Sequence, residues 1–469
     1  MTDQTDRSRS SRTSRTRARR ERYVVAAALL LVACLVGGWL LMPAALQLLP
    51  PRYIARLPEP LQALAARPHP EYLPTPALTA PPLQTTPPPA SVRPPTATSP
   101  APTDTSRPDP TLPATATVTP SALPPSATPR PSVTLPAATR HYSQCAPQVG
   151  RGRFADLTQA TVLLDSPTMQ YICQTWNNCG PATLAMNLAY WGWSGTQVQV
   201  AEVIRPDPED KHTSAGQIAQ YAQSQGFGAI VRIGGTIERV KALLDAGFPV
   251  LMSRGYEQVG ENEGWLGHYG LVIGYSEPLQ EFILMDSLLG PDQAISYDEF
   301  ELFWAHFNHR YIPIYPPERI AQIQAILGEE LDDAVMYRNA LARAQARAQA
   351  APDDPFAWNA VGANLVGLSD AANAAVAYDR ARVAGLPWRV LWYQFDVYEA
   401  YLAVGRYDDV IALTDSVLGA TAYVEETYYY KGRALQAKGD FEGARALYQT
   451  ALEHNPGYAP ATEALAALP

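Results

Sequence analysis

Hydrophobic residues follow four patterns along the chain. Val24 to Met42 reads VVAAALLLVACLVGGWLLM, nineteen positions without a charge. At 1.5 Å per residue, a helix of that length matches the thickness of a bilayer's hydrocarbon core. From residue 44 to 140 the chain is mostly Pro, Thr, Ala and Ser, and no period appears. From Thr161 to Pro316 alternating and helical patterns interleave. Helical spacing predicts helices over Pro181–Tyr190, Gln197–Ile204, Ala215–Gln225, Ile237–Ala246 and Tyr297–Phe307. Apolar and alternating runs predict strands over Ala229–Ile233, Val250–Ser253, His268–Tyr275 and Glu281–Asp286. The last third repeats with a period near 34: Trp358, Gly362, Ala374, Tyr378 and Ala381 recur as Tyr428, Gly432, Ala444, Tyr448 and Ala451. A degenerate unit between them carries Tyr401, Gly405 and Tyr407.

Composition sharpens the first two patterns. Of the 44 prolines, 27 precede residue 141. Such a segment buries too little apolar surface to offset its ordering entropy, so residues 44–140 are expected to be a disordered, partly extended stalk. Eight arginines stand in the first 22 residues. By the positive-inside rule they stay in the cytoplasm, which makes Val24–Met42 a single-pass anchor and puts the remainder outside. A cleavable signal peptide is the rival, but its apolar core would be shorter. The net charge of −9 argues against a nucleic-acid partner. None of the four cysteines forms the CxxC pair of a structural zinc site, and no cofactor or metal is implied.

One run combines a cysteine with a helix start: Gln174 to Gly192, QTWNNCGPATLAMNLAYWG. Pro181 suits the first turn of a helix, where a missing N–H costs nothing. Cys179 then sits at a helix N-terminus, where free N–H groups favour the thiolate, the nucleophilic form. A thiolate needs a base. His268 opens the β-rich run HYGLVIGY, and EFILMD, ending in Asp286, reads as a neighbouring strand. Adjacent strands would set Asp286 beside His268 to orient its ring. Asp298 and Glu299 compete with Asp286 for that role. Trp176 and Trp265 either wall the cleft or serve ordinary packing. Cys145 and Cys173 are either a disulfide or two buried thiols.

These residues resemble the papain-like cysteine peptidases related to the double-glycine-leader, bacteriocin-processing family, in its stand-alone branch. The resemblance covers roughly residues 160–310. It implies Cys179 as nucleophile, His268 as general base, Asp286 as orienting carboxylate and Gln174 as side-chain donor of the oxyanion hole. Ser287 departs from the pattern, because proline often follows the carboxylate in that family. The 34-residue units resemble tetratricopeptide repeats.

The expected architecture is an α+β papain-like domain joined to an all-α repeat solenoid, behind a transmembrane helix and a disordered stalk. Its parts are a basic tail (1–22), an anchor (23–43), the stalk (44–140), the peptidase domain (141–316), a helical connector (317–352) and the repeats (353–469). The expected function is peptide-bond hydrolysis outside the cytoplasm through a thioester acyl-enzyme. A peptide or protein would be the substrate, and the repeats would hold a protein or peptide partner. The alternatives are a catalytically silent peptide-binding scaffold and a cysteine transpeptidase or amidase acting on cell-wall peptides.

Overall fold

A computed structural model of the chain describes residues 42–65, 71–76, 153–258 and 264–469. The strands are β1 (Arg153–Phe154), β2 (Val162–Leu163), β3 (Gly228–Ala229), β4 (Val250–Gln258), β5 (Gly264–Ser276), β6 (Glu281–Asp286), β7 (Gly290–Ser296) and β8 (Tyr311–Tyr315). They form one sheet in the order β1-β7-β6-β5-β4-β8-β3, with β2 also pairing β5. The central strands are buried on both faces, and the two-residue side-chain period divides them. Leu251, Leu271, Ile273, Ile283 and Ile312 face one core with the Cys179–Tyr190 and Ala215–Ser224 helices. Val250, Val272, Phe282, Leu284 and Tyr311 face the other, with the Ile237–Asp245, Tyr297–Ala305 and Ile320–Leu327 helices.

The predicted helices stand within two residues of their expected ends, and β6 has its predicted bounds. Four strands were not predicted: the two-residue β1 and β2, and the longer β7 and β8. β7, GPDQAIS, is too polar to read as a strand. β8, YIPIY, holds Pro313, which argues against an interior strand. Pro313 fits because it falls in a gap of the ladder, between the Ala229–Ile314 and Arg232–Tyr311 pairings, where no N–H is required.

The repeat module runs from Pro355–Gly367 to Ala459–Ala466 as a succession of antiparallel helices. The small-to-large pairing read from the sequence is what holds each unit together. A Cβ on Gly362 would come within 2.7 Å of the Tyr378 ring, and one on Gly432 within 2.6 Å of the Tyr448 ring. Tyr378 and Tyr448 are fully buried in those contacts.

The peptidase-like domain and the repeats share a core. Trp265 stacks on Phe307 at 5.7 Å; Trp265 lies against Phe356 and Tyr393 of the repeat side, and Phe307 against Tyr393. His306 stacks on Phe356 with ring centres 3.7 Å apart. The amides of Asn308 and Asn364 bond each other reciprocally at 2.9 and 3.2 Å. Trp265 therefore packs at the junction. Trp176 lies on the outer side, under Lys211 at 4.8 Å.

The front of the expected stalk departs from disorder. Pro51–Ile54 and Glu59–Ala65 are helical. Their prolines occupy first-turn positions, where the ring is preorganised for a helix. Composition alone could not separate these prolines from those of a spacer. Residues 71–76 lie along the repeat module. The Leu73 N–H donates to Leu386 O at 3.0 Å, and the Trp388 N–H donates to Glu71 O at 3.3 Å. Arg382 Nε donates to Pro74 O at 2.7 Å. Leu73 is 4% exposed and belongs to the repeat core. Arg52 pairs with Glu209 of the peptidase-like domain at 3.2 Å. The described parts of 42–76 thus lie against the folded body, whereas a spacer would hold it at a distance. Leu73→Ala should lower the unfolding free energy by about 2 kcal/mol in urea titrations. No change would mean that this segment is a free tether.

Among the described residues no helix is long and apolar enough to cross a membrane. The basic tail and the predicted span Val24–Met42 lie outside them, except Met42. Cys173 is disulfide-bonded and Cys179 is free. Cys145, its partner in one of the two readings, lies outside the described residues.

Candidate active site

Cys179 opens its helix as expected. The loop before it is fixed from behind by Arg205, whose Nη2 donates to Asn178 Oδ1 at 2.6 Å and to Trp176 O at 3.2 Å. Gly180 packs closely here: a Cβ on it would stand 3.1 Å from Thr213 Cβ. Cys179, His268 and Tyr269 line one cleft, and the His268 ring and the backbone N–H groups of Tyr269 and Gly180 act on the thiol. Burial pushes the thiol's pKa up, but the His268 hydrogen bond and charge, with these N–H groups, bring it below the ordinary value.

His268 lies on β5, and its Nε2 is 2.9 Å from Asp286 Oδ1. That leaves Nδ1 for the thiol. Burial alone would lower its pKa. The Asp286 charge and hydrogen bond, then Cys179, push it up to about 9. His212 also lines the cleft, yet burial and the Arg310 charge push it down to about 3. Of the two, only His268 can carry a proton near neutrality.

Asp286, the last residue of β6, is fully buried and fully engaged. Its Oδ1 accepts from His268 and from the Leu288 and Leu289 N–H groups at 2.9 Å. Its Oδ2 accepts from Arg254 Nη2 at 2.7 Å. Against the cost of burial, His268 and Arg254 hold this carboxyl well below the usual carboxylate range. Asp298 and Glu299 stand exposed in the first turn of the Tyr297–Ala305 helix, so the structure brings Asp286, and neither of them, to His268.

Gln174 is bonded to Ser287, the residue after Asp286, and is not among the residues that line the cleft. Its N–H donates to Ser287 O at 3.0 Å, and the Ser287 hydroxyl donates to its Oε1 at 2.9 Å. With the amide oxygen taken, the NH2 end is left as donor. The serine that departs from the family pattern therefore orients the amide. Sequence reasoning missed Ser287 in this role and missed Arg254, which pairs across from His268 in the β4–β5 ladder. A charged residue directly after the predicted strand Val250–Ser253 was the available signal.

The cleft at Cys179 and His268 is narrow, with a volume of about 10 Å³, room for roughly one water. Tyr393 of the repeat module walls it together with Phe307 and Arg310. A Cβ on Gly267, next to His268, would meet the Phe307 ring at 2.7 Å and the Tyr393 ring at 2.9 Å. Among the described residues there is no group of three or more His, Cys, Asp or Glu that could hold a metal ion.

A cysteine at a helix start, a histidine on a sheet and a carboxylate behind it, within a mixed α/β domain, define the peptidase-like class. Residues 165–315 match the Peptidase_C39 like family, and residues 425–458 match the tetratricopeptide repeat. Both resemblances read from the sequence are thereby borne out. Among solved structures the chain is similar to a putative C39-like peptidase from Bacillus anthracis, with 20% identity over 33% of this chain and 96% of that one and a TM-score of 0.27. It is also similar to the peptidase domain of Streptococcus ComA, a bi-functional ABC transporter involved in quorum sensing, with 22% identity over 31% of this chain and 96% of that one and a TM-score of 0.25. MamA is similar at 13% identity over 28% of this chain and 74% of that one, with a TM-score of 0.25. No curated protein matches.

Proposed function

We propose that this chain is a cysteine peptidase that hydrolyses peptide bonds through a thioester on Cys179. One observation carries the reading: the thiol meets a buried histidine that is itself held by a fully bonded carboxylate at 2.9 Å. His268 Nδ1 takes the thiol proton, and the thiolate attacks the scissile carbonyl carbon. The oxygen that becomes negative is met by the Cys179 backbone N–H and the Gln174 amide. Such donors are worth about 2.7–4 kcal/mol each in comparable sites. Protonated His268 then gives its proton to the leaving amine, and water, activated by the same ring, releases the acid. Asp286 keeps the ring in register and stabilises its charge, while Arg254 fixes Asp286 from behind.

The apolar run Val24–Met42 behind an arginine-rich tail supports a membrane anchor with the folded body outside the cytoplasm. Protease accessibility on intact cells checks that topology. The repeats would hold a protein or peptide partner.

The reaction is tested by incubating the full-length protein with a peptide mixture and sequencing the products by mass spectrometry. Fragment pairs that together exceed the parent by one water, absent with Cys179→Ala, are expected. Joined peptides instead would mean transpeptidation, and no Cys179-dependent product would mean a silent binding domain.

A further inference from the structure

A second cavity is separate from the cleft. It lies between β7, β4 and the start of the Tyr297–Ala305 helix and has a volume of about 280 Å³. Two of its lining side chains, Arg254 and Gln293, are each only 5% exposed. Both carry a polar atom without a hydrogen-bond partner: Arg254 Nε, a donor, and Gln293 Oε1, an acceptor. Gln293 is not free to turn, since its Nε2 donates to Pro291 O at 2.9 Å. Buried polar atoms left unpaired cost stability unless something meets them. Arg153 adds a second guanidinium at the rim, and Glu299 adds a carboxylate. Leu284 and Leu289 supply an apolar wall.

We propose that this cavity binds a free amino acid. Its α-carboxylate would accept from Arg254 Nε and face Arg153. Its α-ammonium would donate to Gln293 Oε1 and face Glu299, and its side chain would lie on Leu284 and Leu289. Water would satisfy the two orphan atoms as well, but 280 Å³ exceeds what two waters need, and Leu284 and Leu289 offer water no bond. Arg254 also holds Asp286, so an occupant would touch the support of the catalytic carboxylate from the far side.

The test is thermal unfolding of the full-length protein with each of the twenty amino acids at millimolar concentration. At least one should raise Tm by about 2–4 °C at ten times its Kd. Its α-carboxamide, which lacks the carboxylate, should not. Gln293→Leu should abolish the shift. Ala294→Phe, which fills the cavity from β7, should abolish it as well, so the result stands even if the first variant folds poorly. No shift with any amino acid, an equal shift with the carboxamide, or a shift that survives both variants would overturn the proposal and leave a hydrated cavity. Binding is scored without turnover, so the outcome is independent of whether Cys179 proves catalytic.

Discussion

His268→Ala should slow alkylation of Cys179 by iodoacetamide several-fold near pH 6.5, because a thiol without its partner returns to an ordinary pKa of about 8.5 and is then only about 1% thiolate. Burial would push it higher still. In the unchanged protein the alkylation rate should rise through the lowered thiol pKa and already be high below pH 8.5. Peptide hydrolysis should show the same rise and then fall as His268 loses its proton near pH 9, since the leaving amine needs that proton. In the variant the acid-side reactivity disappears and only the ordinary thiol's rise remains. The charged ring also contributes to stability. Its folded pKa lies above the unfolded value of about 6.5, so that contribution is complete below pH 6.5 and is lost as the pH rises through about 9. His268→Ala should therefore flatten the alkaline limb of the stability profile. Equal alkylation profiles for both proteins would remove the catalytic pair.

Cys179, His268 and Asp286 were legible because each rests on a local rule. A Cys-Gly-Pro sequence before an apolar helical pattern marks a helix start, and two neighbouring strands in sequence became neighbours in the sheet. The supports were not legible, because they arise from pairings distant in sequence. Arg254 stands opposite His268 only through the β4–β5 register. Ser287 gains its role only when residue 174 lies beside residue 287, 113 positions away. The stalk boundary failed for a related reason. Proline content measures what a segment cannot do alone, and Leu73 is ordered by a partner more than 300 residues later.

Ending the chain after residue 316 should abolish cooperative folding of the peptidase-like domain. A modular reading predicts the opposite, with the repeats as a detachable adaptor. The shared core decides between them. Trp265 and Phe307 are 3% and 4% exposed, and rings of the repeat side pack on both: Phe356 and Tyr393 on Trp265, Tyr393 on Phe307. Uncovering two large aromatic side chains costs about 5 kcal/mol together. Asn308 would lose its Asn364 partner and His306 O its bond from Gln394, adding about 1–3 kcal/mol for each group left unpaired. A domain's whole stability is only about 5–15 kcal/mol. The fragment should therefore show no sharp urea transition by circular dichroism and should expose apolar surface to a hydrophobic dye. A fragment that unfolds at the full-length midpoint would show that the junction contributes little. The same interface explains why the cleft is narrow: the ring that closes it, Tyr393, belongs to the repeat side and rests on Gly267 beside His268. A partner that draws the Trp388–Trp392 turn and Tyr393 away from β5 would widen the cleft and strip cover from Trp265 at once, so access to Cys179 and stability of the domain are coupled through one side chain.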